Sequence, residues 1–206
     1  MSRRMQKSRS SSKKTFAEQI AAVKAAHPTA LVEVWSFDEH RIGLQPLLRR
    51  VWAPKSCRPI CPVEPRYQWL YLYGFVCPAQ GETLFLVLPK VNTDYFNQAL
   101  ADFAQVAQAG PGKQIILVLD GASWHRSQQV ARPAGLHLLF LPPYSPELQP
   151  AERLWPLTDE TLANQHFDTL LALETVQLAR CQIVQTLVDD VRALTAFQWW
   201  LDALHS

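Results

Sequence analysis

Hydrophobic positions along the chain follow two rhythms, one of period two and one close to 3.6, and the switches between them mark out the elements. Residues Phe16–Ala26 (FAEQIAAVKAA) carry a helical pattern that His27-Pro28 ends. Leu31–Ile42 (LVEVWSFDEHRI) alternates as a strand: Val32, Val34, Ser36 and Asp38 share one face, and Glu33, Trp35, Phe37 and Glu39 the other. Trp69–Val76 and Glu82–Leu88 are aromatic and branched runs, and the short link Cys77–Gly81 predicts an antiparallel hairpin with Trp69, Tyr71, Tyr73 and Phe75 in the core. Asn92 is placed to cap a helix whose stripe is Phe96, Ala99, Leu100, Phe103, Val106 and Ala107, and Gly110-Pro111-Gly112 is the expected stop. Two apolar strands follow, Gln114–Leu119 and Leu136–Leu141, with a short polar helix at RSQQV between them. The proline-rich loop Pro142–Pro150 then enters a helix that carries Glu152; Ser145-Pro146 and Gln149-Pro150 are both plausible starts, and Pro156 is expected to kink it. Asp168 is placed to cap a long helix with apolar positions at Leu171, Val176, Ala179, Ile183 and Leu187. The end, FQWWLDAL, is apolar enough to dock on the core or on a partner.

This order (strand, hairpin, helix, strand, short helix, strand, helix) predicts an α/β fold with a mixed five-stranded sheet flanked by helices. Such sheets gather ligands at the carboxyl ends of neighbouring parallel strands. Asp38 lies late on the first strand, Asp120 ends a central one, and Glu152 sits in the first turn of a helix leading back over the sheet. Strand register sends Asp38 and Glu39 to opposite sides, so only one joins a given site. Glu147, just after Ser145-Pro146, reads as a helix-start acid held by the macrodipole.

Three converging carboxylates repel: at ~4 Å a like-charge pair costs about 1 kcal/mol in water and about 4 kcal/mol at an effective dielectric near 20. They call for a cation or a proton. An oxygen-only set with open positions suits Mg²⁺, with Mn²⁺ as a substitute. Two such ions can activate a water or 3′-hydroxyl and stabilise the leaving oxygen of a phosphodiester.

Charge sharpens the choice of partner. The net charge is only +2, but six of the 20 basic residues fall in residues 1–14, leaving 14 against 18 acids elsewhere. The serine-rich basic start reads equally as a nucleic-acid-binding arm or a solvated terminus. Arg41, Arg49, Arg50, Lys55, Arg58 and Arg66, opposed only by Glu64 and interleaved with Trp52 and Tyr67, suggest a surface that tracks phosphates and stacks bases. His125 is placed either to touch a phosphate or to hold the Asp120 turn, and Trp124 and Tyr144 either to flank DNA or to pack. No run approaches a membrane span.

Three other chemistries fit the residues less well. Gly112-Lys113 lacks the upstream glycine and following Ser/Thr of a phosphate loop, and it precedes a strand instead of following one. Gly121-Ala-Ser123-Trp-His125 falls one glycine short of a hydrolase elbow. Cys57 and Cys61 have no further zinc ligands at matching spacing, and the four cysteines read as reduced thiols.

FDEHRIGL around Asp38, LVLDGASWH around Asp120 and LPPYSPELQPAERLW around Glu152 resemble the three signatures of DDE transposases, nearest to the bacterial insertion-sequence branch of the mariner-like superfamily. The resemblance runs from about residue 28 to the end. It implies a ribonuclease-H-like core, two Mg²⁺ ions, and DNA strand cleavage followed by strand transfer, with Asp38, Asp120 and Glu152 as catalytic and metal-binding triad. It also implies a homodimer on DNA and a cytoplasmic, nucleoid-associated protein. Gly121 and Gln149 stand where many relatives carry Asn, and Asp120 and Glu152 are 32 positions apart, slightly closer than is typical. Relatives carry helix-turn-helix domains ahead of the core, so the expectation is a catalytic half served by a separate N-terminal polypeptide. The organisation expected is a basic tail and linker helix (1–27), the catalytic core (28–165) and a helical extension (166–206). The alternative is a non-catalytic remnant that binds DNA or protein.

Overall fold

The computed structural model describes residues 16–57, 59–61, 64, 66–143 and 145–205. Helix α1 (residues 16–26) leads into β1 (Leu31–Gly43), which is followed by the hairpin β2 (Trp69–Cys77) and β3 (Glu82–Leu88). Helix α2 (Thr93–Val106), β4 (Lys113–Leu119) and β5 (Leu136–Phe140) complete the central part. Two 3-10 segments, Pro146–Leu148 and Pro150–Leu154, run into α3 (Trp155–Thr158), a third 3-10 turn, then α4 (Leu170–Thr186), α5 (Val188–Thr195) and α6 (Gln198–His205).

The five strands form one mixed sheet in the order β3-β2-β1-β4-β5, antiparallel through β3-β2-β1 and parallel through β1-β4-β5. This is the expected α/β architecture. Strand alternation divides the core in two. On one face Trp35, Phe37, Tyr73, Phe75, Leu117 and Leu119 pack under Phe96, Leu100 and Phe103 of α2. On the other, Val34, Ile116 and Val118 meet Phe16 and Ile20 of α1 and Trp200 of α6, while Leu72 and Val76 meet Leu154, Trp155, Cys181, Val184 and Val191. The apolar C-terminal segment therefore docks on this chain's own core.

Several local expectations are corrected. The RSQQV helix is absent: Gly121–Gly135 is a series of turns, in which the His125 and Arg126 amides bond Ala122 O, and Pro133 and Gly135 leave no length for more than one coil. Helix α2 does start at Asn92, whose side chain accepts from the Tyr95 amide. It ends before the glycines, because Gln108 takes a left-handed φ of 58°. Val106 is solvent-facing at 63% exposure and lies off the stripe. Thr169, not Asp168, caps α4. The buried face of α4 is Leu173, Gln177, Cys181 and Val184, whereas Leu171 and Ile183 point outward. Apolar residues surround that helix, so periodicity alone selected the wrong face. Glu152 rides a 3-10 turn, and Pro156 begins α3 as a first-turn proline without kinking a longer helix.

The four cysteines are free thiols. No helix among the described residues is long and apolar enough to cross a membrane.

Candidate active site

Parallel pairing of β1 and β4 sets the site. Val34 and Ser36 lie beside Ile116 and Val118. Two residues further along each strand, the same alternation brings Asp38 and Asp120 out at neighbouring carboxyl ends on one face. Glu152 arrives on the turn that follows β5. The three acids line a single cleft of about 630 Å³ together with Gly121, Arg126 and Gln149.

A buried polar clamp fixes the Glu152 turn against β1. Ser36 Oγ donates to Gln149 Oε1 at 2.9 Å, Gln149 Nε2 donates to the Phe37 carbonyl at 2.6 Å, and the Ala151 amide donates to Ser36 Oγ at 3.3 Å. Both side chains are buried. The clamp was traceable in the sequence: a lone serine between the apolar residues Val34, Trp35 and Phe37 of a buried strand needs a polar partner.

Each acid has its own electrostatic setting. Burial pushes the Asp38 carboxyl up to about 7; the hydrogen bond from Trp155 Nε1 to Oδ2 (3.0 Å) opposes this, and the charges of Glu39 and Glu152 add to it. Trp155 reaches Asp38 because β2 carries glycine opposite it. Gly74 pairs with Asp38, and a Cβ there would lie 2.6 Å from the indole ring. On its far side Trp155 stacks on His40 (5.0 Å between centroids), whose Nε2 lies 2.9 Å from Asp159 Oδ1.

The Asp120 carboxyl is lowered from its ordinary value, first by its hydrogen bond with His125 Nδ1 at 2.8 Å, against the opposing effect of burial, and then by the Ala122 amide at 3.1 Å. Glu152 is raised, mainly by burial and then by the charges of Asp120 and Glu147, with Arg153 opposing. Charge thus couples Glu152 to both aspartates.

Glu39 faces the opposite side of the sheet, as register predicts, yet it reaches the site indirectly. His125 Nε2 lies 2.8 Å from Glu39 Oε1, and Trp124 Nε1 donates to the same oxygen at 3.1 Å. Burial would drive the His125 imidazolium down, but its two carboxylate partners hold it up at about 9. At 2% exposure, with both ring nitrogens engaged, His125 braces Asp120.

The basic segment after β1 is only partly available to a ligand. Arg41 lies over the Trp69 ring at 4.4 Å. The Arg49 guanidinium is 3.6 Å from Asp159, and its backbone pairs with the Asn164 side chain. Arg66 donates to the Asp168 carbonyl at 2.6 Å and to Glu64 at 2.9 Å. Arg50 and Lys55 are exposed. Trp52 (104%) and Tyr67 (79%) are exposed as well. Arg58, Tyr144 and the basic residues 3–14 lie outside the described residues.

Among the described residues, no three His, Cys, Asp or Glu side chains are drawn close enough together to cage a metal ion. Mg²⁺ ordinarily takes only one or two protein carboxylates and completes its octahedron with water and substrate phosphate. Three oxygen donors spread along one cleft fit that habit.

A family model described as DDE superfamily endonuclease matches residues 33–174, from β1 into α4 and spanning all three acids. The chain belongs to the DDE superfamily endonucleases. Among relatives of this DDE chain is an uncharacterized protein, y4pE/y4sA, of Sinorhizobium fredii (strain NBRC 101917 / NGR234), 38% identical over 100 residues that make up 48% of this chain and 73% of the relative. The pre-cleavage Mos1 transpososome is similar in structure with a TM-score of 0.65 at 14% identity, covering 100% of this chain and 63% of that one. The catalytic domain of Mos1 mariner transposase matches with a TM-score of 0.55 at 16% identity over 94% of this chain and 90% of that domain. The Mos1 mariner paired end complex with Mn gives 0.61 at 14% identity, over 100% and 63%. The DDE chain therefore has the ribonuclease-H-like fold of the Mos1 catalytic domain and spans 63% of the longer Mos1 chain.

Proposed function

We propose that this chain is the catalytic core of a transposase, cutting DNA phosphodiesters with divalent metal and joining the freed ends to new DNA. The observation that carries the reading is the convergence of Asp38, Asp120 and Glu152 on one cleft, with charge coupling Glu152 to each aspartate. Asp38, Asp120 and Glu152 would hold two Mg²⁺ ions, for which Mn²⁺ can stand in. Once bound, the ions supply the Lewis acidity that readies the attacking oxygen and stabilises the leaving one.

The chain's own residues perform the remaining tasks. Trp155 and burial on the sheet keep Asp38 in one rotamer facing the cleft. His125 and the Ala122 amide fix Asp120 as an anion. The Ser36–Gln149 clamp sets the distance of Glu152 from the two strands. In the displacement a water or 3′-hydroxyl oxygen forms a bond to phosphorus and the bond to the leaving 3′-oxygen breaks. The proton of the attacking group leaves to solvent or to a carboxylate of the cleft, and the departing 3′-oxygen takes up a proton from solvent to become a 3′-hydroxyl.

Exposed Arg50 and Lys55, with Arg41 and Arg49 at the edge of the same segment, track the DNA backbone in this reading, and the protein acts as a homodimer with sequence recognition supplied by helix-turn-helix domains outside the core. Residues 28–165 are the core, and 166–206 are a helical extension that buttresses it. Incubating the protein with DNA of its element ends in Mn²⁺ tests the reading. Cleavage is expected and should fall by ~10³-fold or more in Asp120→Asn, as when a charged group is removed from a preorganised site. Cleavage that survives this change sinks it, and binding without any cleavage favours the remnant instead.

A further inference from the structure

Among the described residues that line the acidic cleft, Arg126 is the one cation. It follows buried His125 in the turn after β4, so the hydrogen bonds that brace Asp120 also aim the next side chain. Its guanidinium lies over the Phe140 ring at 4.7 Å, a contact that orients the planar group without using its N–H donors. Among the described residues it forms no salt bridge with a carboxylate, although Asp120 feels its charge. The backbone makes room for it: at Gly121 a Cβ would lie 2.8 Å from both Nε and Nη2. An arginine fork held at the mouth of a three-carboxylate cleft, exposed and with its donors free, suits an oxyanion that the acids alone would repel.

From this we infer that Arg126 contacts the substrate directly, its guanidinium gripping the non-bridging oxygens of the phosphate being cut and offsetting the charge that builds there. The inference rests on the nuclease reading of the site and adds a specific cation to it. Arg126 is catalytic in the strict sense, because it touches the reacting group.

Two variants, Arg126→Ala and Arg126→Lys, and two readouts test the assignment. In EDTA, the affinity of the wild type for a DNA duplex is measured across a salt series. Loss of one phosphate contact in Arg126→Ala should lower the log–log slope by about 1, with Arg126→Lys keeping the slope. In Mn²⁺, single-turnover cleavage should fall by about 10²-fold in Arg126→Ala, as for removal of one preorganised donor to a charged transition state, and recover in part with lysine. Cleavage by the wild type maps the phosphate concerned. A duplex with a neutral methylphosphonate at that position should bind the wild type more weakly and be indistinguishable from normal DNA to Arg126→Ala.

An unchanged salt slope overturns the inference, as does equal sensitivity of wild type and Arg126→Ala to the methylphosphonate. A wild type that binds DNA but never cleaves it overturns the transposase reading alone, and the salt slope then still decides Arg126. The exposed side chain leaves the core untouched, so both variants should melt with the wild type.

Discussion

At the scale of the single residue, Asp38 gives the sharpest expectation. Burial raises its folded pKa from 3.8 to about 7, so the folded, metal-free protein binds a proton that the unfolded chain releases. The stability from this group is complete below the unfolded value and is lost as pH climbs through the folded one. In EDTA, therefore, Asp38→Asn should gain in melting temperature relative to wild type as pH rises from about 5 to about 8, with most of the change complete near the folded pKa. A parallel pair of melting curves would refute the assigned burial. His125 titrates alike in both proteins, so it cancels from the difference. The emergence of Asp38 and Asp120 into one cleft was legible in the chain because strand alternation fixes the direction of an acid in, or just past, a predicted strand. The contacts of Trp155 and Arg126 were not: Trp155 reaches Asp38 across 117 positions, and the aim of Arg126 depends on a turn that reads as a helix in the sequence. Nothing in RSQQV announces that its arginine turns back toward Asp120.

Between elements, packing of the Glu152 turn on the sheet depends on small residues where large ones come close. Gly74→Ala would push its methyl into the Trp155 indole, 2.6 Å away. Overpacking of this kind costs roughly 1–3 kcal/mol, and here it should also weaken the Trp155–Asp38 hydrogen bond. Denaturant unfolding should show the stability loss, and the cleavage rate in Mn²⁺ should fall further than Trp155→Phe, which only deletes the donor. Equal rates for Gly74→Ala and wild type would show that the indole is not needed against Asp38. Helix α4 offers a separate check on the corrected face. Leu173→Ala should destabilise by about 2–5 kcal/mol, the range for a buried leucine, whereas exposed Leu171→Ala should stay within about 0.5 kcal/mol. The reverse order would restore the periodicity-based face. The sheet could be read from sequence because apolar runs such as QIILVL are rich in branched residues, are too short for a helix and fit strands buried on both faces. Helix α4 could not, because leucine and isoleucine on all sides leave the choice of face to tertiary contacts.

Across the whole molecule, the sheet separates support from chemistry. Helix α2 covers one face, α1 and α3–α6 cover the other, and the acids emerge at the end of the strands between these layers. Basic residues lie along the chain that leaves β1, so DNA bound at the acids would run past them. Replacing Arg49 and Arg50 with alanine should weaken binding to all DNA sequences alike and flatten the salt slope by roughly 1–2 units. Because Arg49 already leans on Asp159, Arg50 should account for the larger share of that change. A steeper slope or a sequence-selective loss would move the DNA path elsewhere. The character of this segment was readable from its charge, but the contacts of Arg49 with Asp159 and Asn164 and of Arg66 with the Asp168 carbonyl were not, since those partners lie far downstream.

The alternation of β1 has one further consequence, for how the molecule tolerates insertion and deletion. Asp38 and Glu39 are adjacent acids whose work differs only by parity: the even position faces the cleft and the odd one braces His125. Loss of one codon among residues 34–36, with the pairing to β4 kept, would swap the faces that Asp38 and Glu39 point to and send the apolar residues beyond the deletion to the wrong layers. Every acid would survive in the gene product while the assembled site was lost. The strand thus behaves as a counted object, and its length ahead of Asp38 is as much a determinant of function as the aspartate itself.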